Sequence, residues 1–557
     1  MKRIRPRFAI VGIAALWLAP AHALACHDSG GAMPRSMRPA TLMSGLGDLH
    51  HPITTTSPEA QKFFDQGLRL MYAFNHDEAV RAFTRASELD PKAPMPAWGV
   101  ALALGPNINL DVDPEREKAA YAAVQRAGAL ASTARADERA YIDALAHRYS
   151  DDPNADLKAL AVDYARAMHD VAAAHPDDLD AATLYAESLM DLNPWKLWNA
   201  QGQPAQGTEE IVATLEGVLR RDPRHLGANH YYIHAVEASP HPERALSCAA
   251  RLPTLAPAAG HLVHMPAHVY MRTGDYAGAT RANDAAVKAD RAYLRAGAPA
   301  AGVYPLLYLT HNFQFLSASS GMAGDSASAD RAAAGVAANL AHAPLEGPVL
   351  GLVEYFMPTP YYVALRFSRW ERLTHMPAPD SRLAMTTTLW HFARGVAFAA
   401  TGARERAQAE SAAFDEARTK VPPDTMLNLN RADAVFTIAR AVLDARLAAA
   451  ASDREGAVVA WRRAVEREDA LAYDEPPAWY YPVRESLGAA LYVAGRPAEA
   501  EAVFRDDLAR NPRNGRSLFG LREALRAQGK TVAAAAVDRE FRAAWSTADI
   551  QLRMESL

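Results

Sequence analysis

Between residues 226 and 290 the chain carries two groups of side chains suited to holding a metal ion. His230, His234 and Glu237 stand at i, i+4 and i+7, and His261, His264 and His268 at i, i+3 and i+7. On a helix, either spacing sets three side chains on one face. Neutral imidazole binds zinc, copper, iron and nickel, and a carboxylate beside it compensates the ion's charge. His230 and His234 form a two-nitrogen clamp, with Glu237 one turn further on as a third ligand or a general base. His261, His264 and His268 would complete that site or build a second. Two neighbouring metals would activate water for hydrolysis, whereas one copper or iron with open positions would suit oxidation. Seven of the 19 histidines fall between 230 and 311, more than twice an even share.

Known catalytic signatures do not narrow this chemistry. Tyr231 and Tyr232 follow His230, so the glutamate that stands beside the first histidine of a zinc protease is missing. There is no glycine-rich phosphate loop, serine nucleophile elbow or CxxCH haem attachment. The metal reading rests on helix faces, and so on the elements that set them.

Those elements recur. Ala245 and Ala279 lie 34 residues apart, Pro257 follows Ala245 by twelve, and Gly274-Asp275-Tyr276 makes a turn before Ala279. Gly324-Asp325 precedes Ala329 in the same way, and Ala500 and Ala534 are again 34 apart. Gly67, Ala79, Phe83, Ala86 and Pro91 show the same spacing near the start, as do Leu487, Gly488, Phe504 and Pro512 near the end; Gly395 and Ala407 mark another unit. This pattern resembles the tetratricopeptide repeat superfamily, whose 34-residue unit is a helix pair that needs a neighbour to bury its apolar face.

The resemblance implies an all-α fold, an α-solenoid of antiparallel helix pairs whose first helices line a concave groove. It places His230, His234, Glu237, His261, His264, His268 and His311 at groove-facing positions of three consecutive units. Pro266 interrupts that scheme, because an interior proline removes a helix hydrogen bond and bends the axis. The superfamily's commonest use is to grip a peptide or protein segment, so a non-enzymatic adaptor is the second reading. A third is a copper carrier, which His27, His50, His51, Met265 and Met271 would suit.

Length and composition bound the rest. At 557 residues the chain exceeds one compact core. Half the residues are apolar, without strand-like runs, which favours helices. MKRIRPR, an apolar stretch and Ala23-Leu24-Ala25 read as an export signal, predicting a periplasmic or secreted protein. Cleavage there would expose Cys26 for a lipid anchor, though Ala23 replaces the leucine of the usual attachment box. That segment is too short for a membrane span with stop-transfer flanks. The net charge of −5 argues against nucleic acid, and with only Cys26 and Cys248 there is no disulfide framework or tetrathiolate zinc site.

We therefore expect an export signal at 1–25, a flexible leader at 26–57 and N-terminal repeats with inserted loops at 58–220. Central units with the histidines follow at 221–340, degenerate repeats at 341–470 and C-terminal units at 471–557. The stretch DEPPAWYYPVRESLG, with Asp474, Glu475 and Trp479, reads as an aromatic helix start or as a charged lip to the groove. The expected cofactor is a transition metal ion, copper, zinc or iron, and the composition leaves open whether turnover accompanies it.

Overall fold

The computed structural model describes residues 40–297 and 304–557. The export signal, Cys26 and His27 lie outside these residues. Helices dominate, and the only strands among the described residues are Met426–Leu427 and Asn430–Arg431, a two-stranded antiparallel turn. No described helix is long and apolar enough to cross a membrane. The chain divides into two compact units, the first covering residues up to 197 and 204–231, the second 198–203 and 232–557.

The first unit contains α1 (Pro58–Tyr72), α2 (His76–Leu89), α3 (Met95–Leu104), α4 (Pro114–Leu130), α5 (Ala136–Ala146), α6 (Leu157–Ala174), α7 (Leu179–Met190) and α8 (Thr208–Arg221). Helix α9 (Leu226–Val236) begins in this unit and ends in the second. Residues 40–57 were expected as part of a flexible leader, but they are tied down by side chains. Thr54 Oγ1 donates to Glu138 (2.6 Å), Thr55 Oγ1 to Asp90 (2.7 Å), and Gln66 accepts the Met43 N–H (2.7 Å). His50 and His51 each direct Nδ1 at a carboxylate, Asp65 and Asp180, both at 2.8 Å. Short polar residues find buried acids here, and that pairing replaces the helical period that the segment lacks.

The second unit contains α10 (Leu246–Leu255), α11 (Gly260–His264), α12 (Pro266–Thr273), α13 (Tyr276–Arg295), α14 (Leu309–Ala323), α15 (Ser326–Leu340), α16 (Gly347–Phe356), α17 (Thr359–Arg366) and α18 (Trp370–His375). Four further pairs follow: α19 (Ala384–Ala400) with α20 (Arg404–Arg418), α21 (Ala432–Ala450) with α22 (Arg454–Asp469), α23 (Arg484–Val493) with α24 (Pro497–Arg510), and α25 (Gly515–Ala527) with α26 (Thr531–Ala544). The architecture is all-α, built of helices that pack in successive pairs.

Local chemistry makes the pairs. Gly274 (φ 81°) and Gly324 (φ 76°) close α12 and α14 in the left-handed region, which glycine enters without steric cost. The aspartates that follow cap the next helices, Asp275 accepting from Gly278 N and Asp325 from Ser328 N, both at 2.9 Å. Ala245, Ala279, Ala329, Ala407 and Ala500 are fully buried at the helix crossings.

Phe83 fills the space between two first helices, α1 and α3. A Cβ at Gly67 or Gly99 would come within 2.6 Å of its ring, and Phe504 stands in the same relation to Gly488 and Gly520. Gly67→Ala is therefore expected to destabilise the first unit by about 1–3 kcal/mol through overpacking. Hydrogen exchange across α1 to α3 measures this, and unchanged protection would contradict it.

Candidate metal centre

Helix α9, the α11–α12 pair and α14 bring six of the seven candidate residues into the second unit. Pro266 does split the histidine helix, starting α12 at its first position, where no N–H is needed. Met265 keeps right-handed helical dihedrals (φ −50°, ψ −34°), so α11 and α12 run on and His261, His264 and His268 stay together.

Three ring nitrogens converge. His264 Nε2 lies 2.8 Å from His268 Nε2 and 3.2 Å from His311 Nε2, and one donor atom from each of the three residues falls within 4.8 Å of the others. Two nitrogens bound at ~2.05 Å and the tetrahedral angle stand roughly 3.3 Å apart, close to these separations.

The outer ring nitrogens fix which atom faces inward. Asn283 donates through Nδ2 to the Ala279 carbonyl (3.0 Å), which aims Oδ1 at His264 Nδ1 (2.6 Å). His264 Nδ1 therefore carries the proton, and its Nε2 lone pair points to the centre. Glu237 does the same for two rings, accepting from His234 Nδ1 (2.7 Å) and His268 Nδ1 in a very short contact. With both Nδ1 atoms donating outward, the His264 and His268 Nε2 lone pairs meet head-on. Such a contact is repulsive unless a proton or a cation lies between them.

The electrostatics agree. Burial opposes ionisation of Glu237, but the His268 and His234 charges outweigh it and hold the carboxyl down at about 2. Burial likewise depresses His268, yet the Glu237 carboxylate raises it above its ordinary value. His264 is driven well below its usual range by burial and by His268 and His311; His311 falls to about 3 through burial and His268. Of the three rings, His268 is thus the one that takes a proton most readily, while His264 and His311 are held as weak bases.

Among the remaining candidates, His234 and His261 also bring ring nitrogens together, one from each within 4.8 Å of the other. His261 stacks on His234 (centroids 6.1 Å apart) and lies edge-on to Tyr308 (5.0 Å). His230 belongs to the first unit, where its Nδ1 donates to the Tyr72 carbonyl (2.7 Å) and its ring meets Phe74 edge-on at 4.5 Å. Glu237 has both oxygens engaged by histidines, which makes it an orienting partner here rather than a free base.

The groove expectation also needs correction. His234, Glu237, His261, His264 and His268 are all buried, none more than 4% exposed. They occupy the interior of the unit, while His311 alone is partly accessible. Phe315, one turn beyond His311, packs against His264 (5.0 Å) and His268 (5.1 Å).

Residues distant in sequence complete the surroundings. Tyr473 lies beneath the Arg272 guanidinium (5.6 Å), and Arg272 donates to the Glu237 carbonyl (3.1 Å). Tyr473 also donates to Glu475 Oε1 (2.6 Å), leaving Glu475 Oε2 buried without a hydrogen bond. Burial pushes Glu475 up to about 7, with His268 opposing the shift and Glu237 adding to it. Glu475 was legible as a candidate charged lip. Asn283 carried no signal, being an ordinary polar residue within a helix.

Asn283 also supplies a test of the outer shell. Asn283→Leu frees His264 to exchange tautomers and is expected to weaken metal binding by roughly 10–100-fold. Competition against a chromophoric chelator measures this, and unchanged affinity would count against the proposed tautomer.

No protein-family model matches the chain, and no curated protein matches it. Among solved structures, it is similar to yeast Tom70, with a TM-score of 0.31 and 10% identity over 87% of this chain and 90% of that one. It is also similar to human IFIT1 in a dimer with m7Gppp-AAAA (TM-score 0.30, 11% identity, 88% and 91%). The Cut9-Hcn1 hetero-tetramer of APC/C gives a TM-score of 0.29 and 12% identity, over 84% and 76%.

Proposed function

We propose that the chain is an exported helical-repeat protein whose second unit binds one transition metal ion through His264, His268 and His311. One observation carries the reading: two buried Nε2 atoms face each other at 2.8 Å while Asn283 and Glu237 hold both outer nitrogens as donors. A hydrogen-bonded pair of structural histidines would alternate donor and acceptor around the rings. Here both outer nitrogens meet acceptors, so the two facing Nε2 atoms must share a proton or a cation, the polarity of a cation site. Export is supported by the basic and apolar N-terminal sequence.

Imidazole ligation suits zinc, copper or iron. Three protein ligands leave a position open on such an ion, where it would act as a Lewis acid toward a further molecule. The residues around it divide their work. Glu237 and Asn283 orient the ligands, Phe315 keeps water from the ring faces, and Glu475 presents an unpaired carboxyl oxygen on the side from which His268 feels its charge.

The test is metal content, by mass spectrometry, of protein purified without affinity tag or chelator, beside His264→Ala and His311→Ala. One equivalent of a single metal is expected in the parent and none in either variant, with helicity unchanged. Full metal in both variants, or none in the parent after incubation with zinc, copper and iron, would overturn the assignment.

A further inference from the structure

A cleft opens beside the histidine cluster, and helix α14 connects them. His311 turns to the cluster, while Gln314, Ser317 and Gly321, on successive turns of the same helix, line the cleft. Its other walls come from Tyr355, Tyr362 and Arg366 and from the segment that follows Glu475, Pro476 to Tyr480.

The lining specifies what fits. Tyr362 and Tyr480 lie parallel (centroids 4.7 Å apart, planes at 7°), and with the proline rings they make flat, apolar faces that favour a planar ring. Anions find no free cation there. Arg366 donates to Glu485 (3.0 Å) and to the Gly321 carbonyl (3.2 Å), so its charge is neutralised and its donors are engaged. Two lining polar atoms stay buried without a hydrogen bond, Gln314 Oε1 and the Tyr362 hydroxyl. Gln314 offers an acceptor, since its amide group already serves the Tyr355 hydroxyl, and Tyr362 offers a donor.

We infer that this cleft is the substrate site of the histidine centre and takes a neutral, single-ring phenol. The inference rests on the metal reading for its link to the centre, and on the cleft alone for the class of ligand.

The probe is 4-methylphenol, titrated calorimetrically into the full chain after metal removal and again after loading with zinc. Toluene, cyclohexanol and methyl glucoside serve as comparisons. Binding of 4-methylphenol to both forms is expected, at least fivefold tighter than toluene or cyclohexanol, with no heat from the glucoside. Tyr362→Phe and Gln314→Leu, checked for native helicity, are each expected to weaken it roughly five- to tenfold, the loss of one hydrogen bond. Failure of 4-methylphenol to bind either form, equal affinity for toluene, or preference for the glucoside would overturn the ligand class.

Proximity is read separately. Cobalt(II) loading is expected to broaden the proton resonances of bound 4-methylphenol relative to zinc loading. Normal binding without broadening in protein shown to hold cobalt would overturn the link to the centre. If the chain takes up no metal at all, the metal reading fails on its own measurement, while the titration of the metal-free form still decides the cleft.

Discussion

A Glu237→Leu variant is expected to lose metal binding together with about 3–5 kcal/mol of stability, the usual consequence of removing one partner from a buried ionic pair. Glu237 is 2% exposed and accepts from the Nδ1 atoms of two buried histidines. Leucine roughly conserves volume, so the loss comes from polarity. Both imidazoles keep an N–H that no longer meets an acceptor, at about 1–3 kcal/mol each. His268 also loses the charge that raises its pKa. Relieving these costs means moving the proton to Nε2, which puts N–H bonds where lone pairs had converged. The second unit should melt roughly 10 °C lower, given about 2–4 °C per kcal/mol for large domains. Glu237→Gln separates the two effects, because a glutamine oxygen serves one ring and its amide nitrogen forces the other tautomer on the second. It should recover much of the melting temperature and little of the metal. A Gln variant that binds metal like the parent would show that Glu237 does not set the ring orientation.

The pH dependence of metal affinity should reveal how many protons the ion displaces. His264 is held well below the usual histidine range and His311 at about 3, so neither carries a proton between pH 5 and 7. His268, whose hold on a proton the Glu237 carboxylate strengthens, is the first of the three to take one up as pH falls. Glu475, pushed up to about 7 by burial, is protonated over much of the same window and gives up its proton when positive charge arrives beside His268. The sign is fixed: metal binding releases protons, so affinity falls as pH falls. Below pH 6.5 the decline should approach a hundredfold per pH unit, two protons, and reduce to tenfold in Glu475→Gln. Three unshifted histidines would give a steepening slope toward a thousandfold, with no sensitivity to Glu475. Competition titrations at pH 5.5, 6.5 and 7.5 distinguish these outcomes, and a slope of three in both proteins would refute the assigned protonation pattern.

The second prediction depends on a residue whose significance no local pattern conveys. Glu475 follows His268 by 207 positions, and it reaches the centre because Tyr473 packs under Arg272.

What the sequence determined by itself was the set of helix pairs and their faces. Alanine, glycine and aspartate at repeat spacing specify where two helices cross and turn, because each acts within a few residues of its own backbone: Gly274 and Gly324 by conformation, Asp275 and Asp325 by capping, Ala279 and Ala329 by size. The same periodicity put His264, His268 and His311 on neighbouring first helices. Tertiary structure alone decided that these rings lie in the interior and not along an open groove, that His230 hydrogen-bonds within the first unit, and that residues 40–57 are docked by buried acids. It also chose Asn283 to aim His264 and Phe315 to cover it. Helical period records the direction in which a side chain leaves its own axis. The distance to the next axis, and what covers the face, depend on packing between segments far apart in the chain, and that packing converts a row of histidines into converging lone pairs.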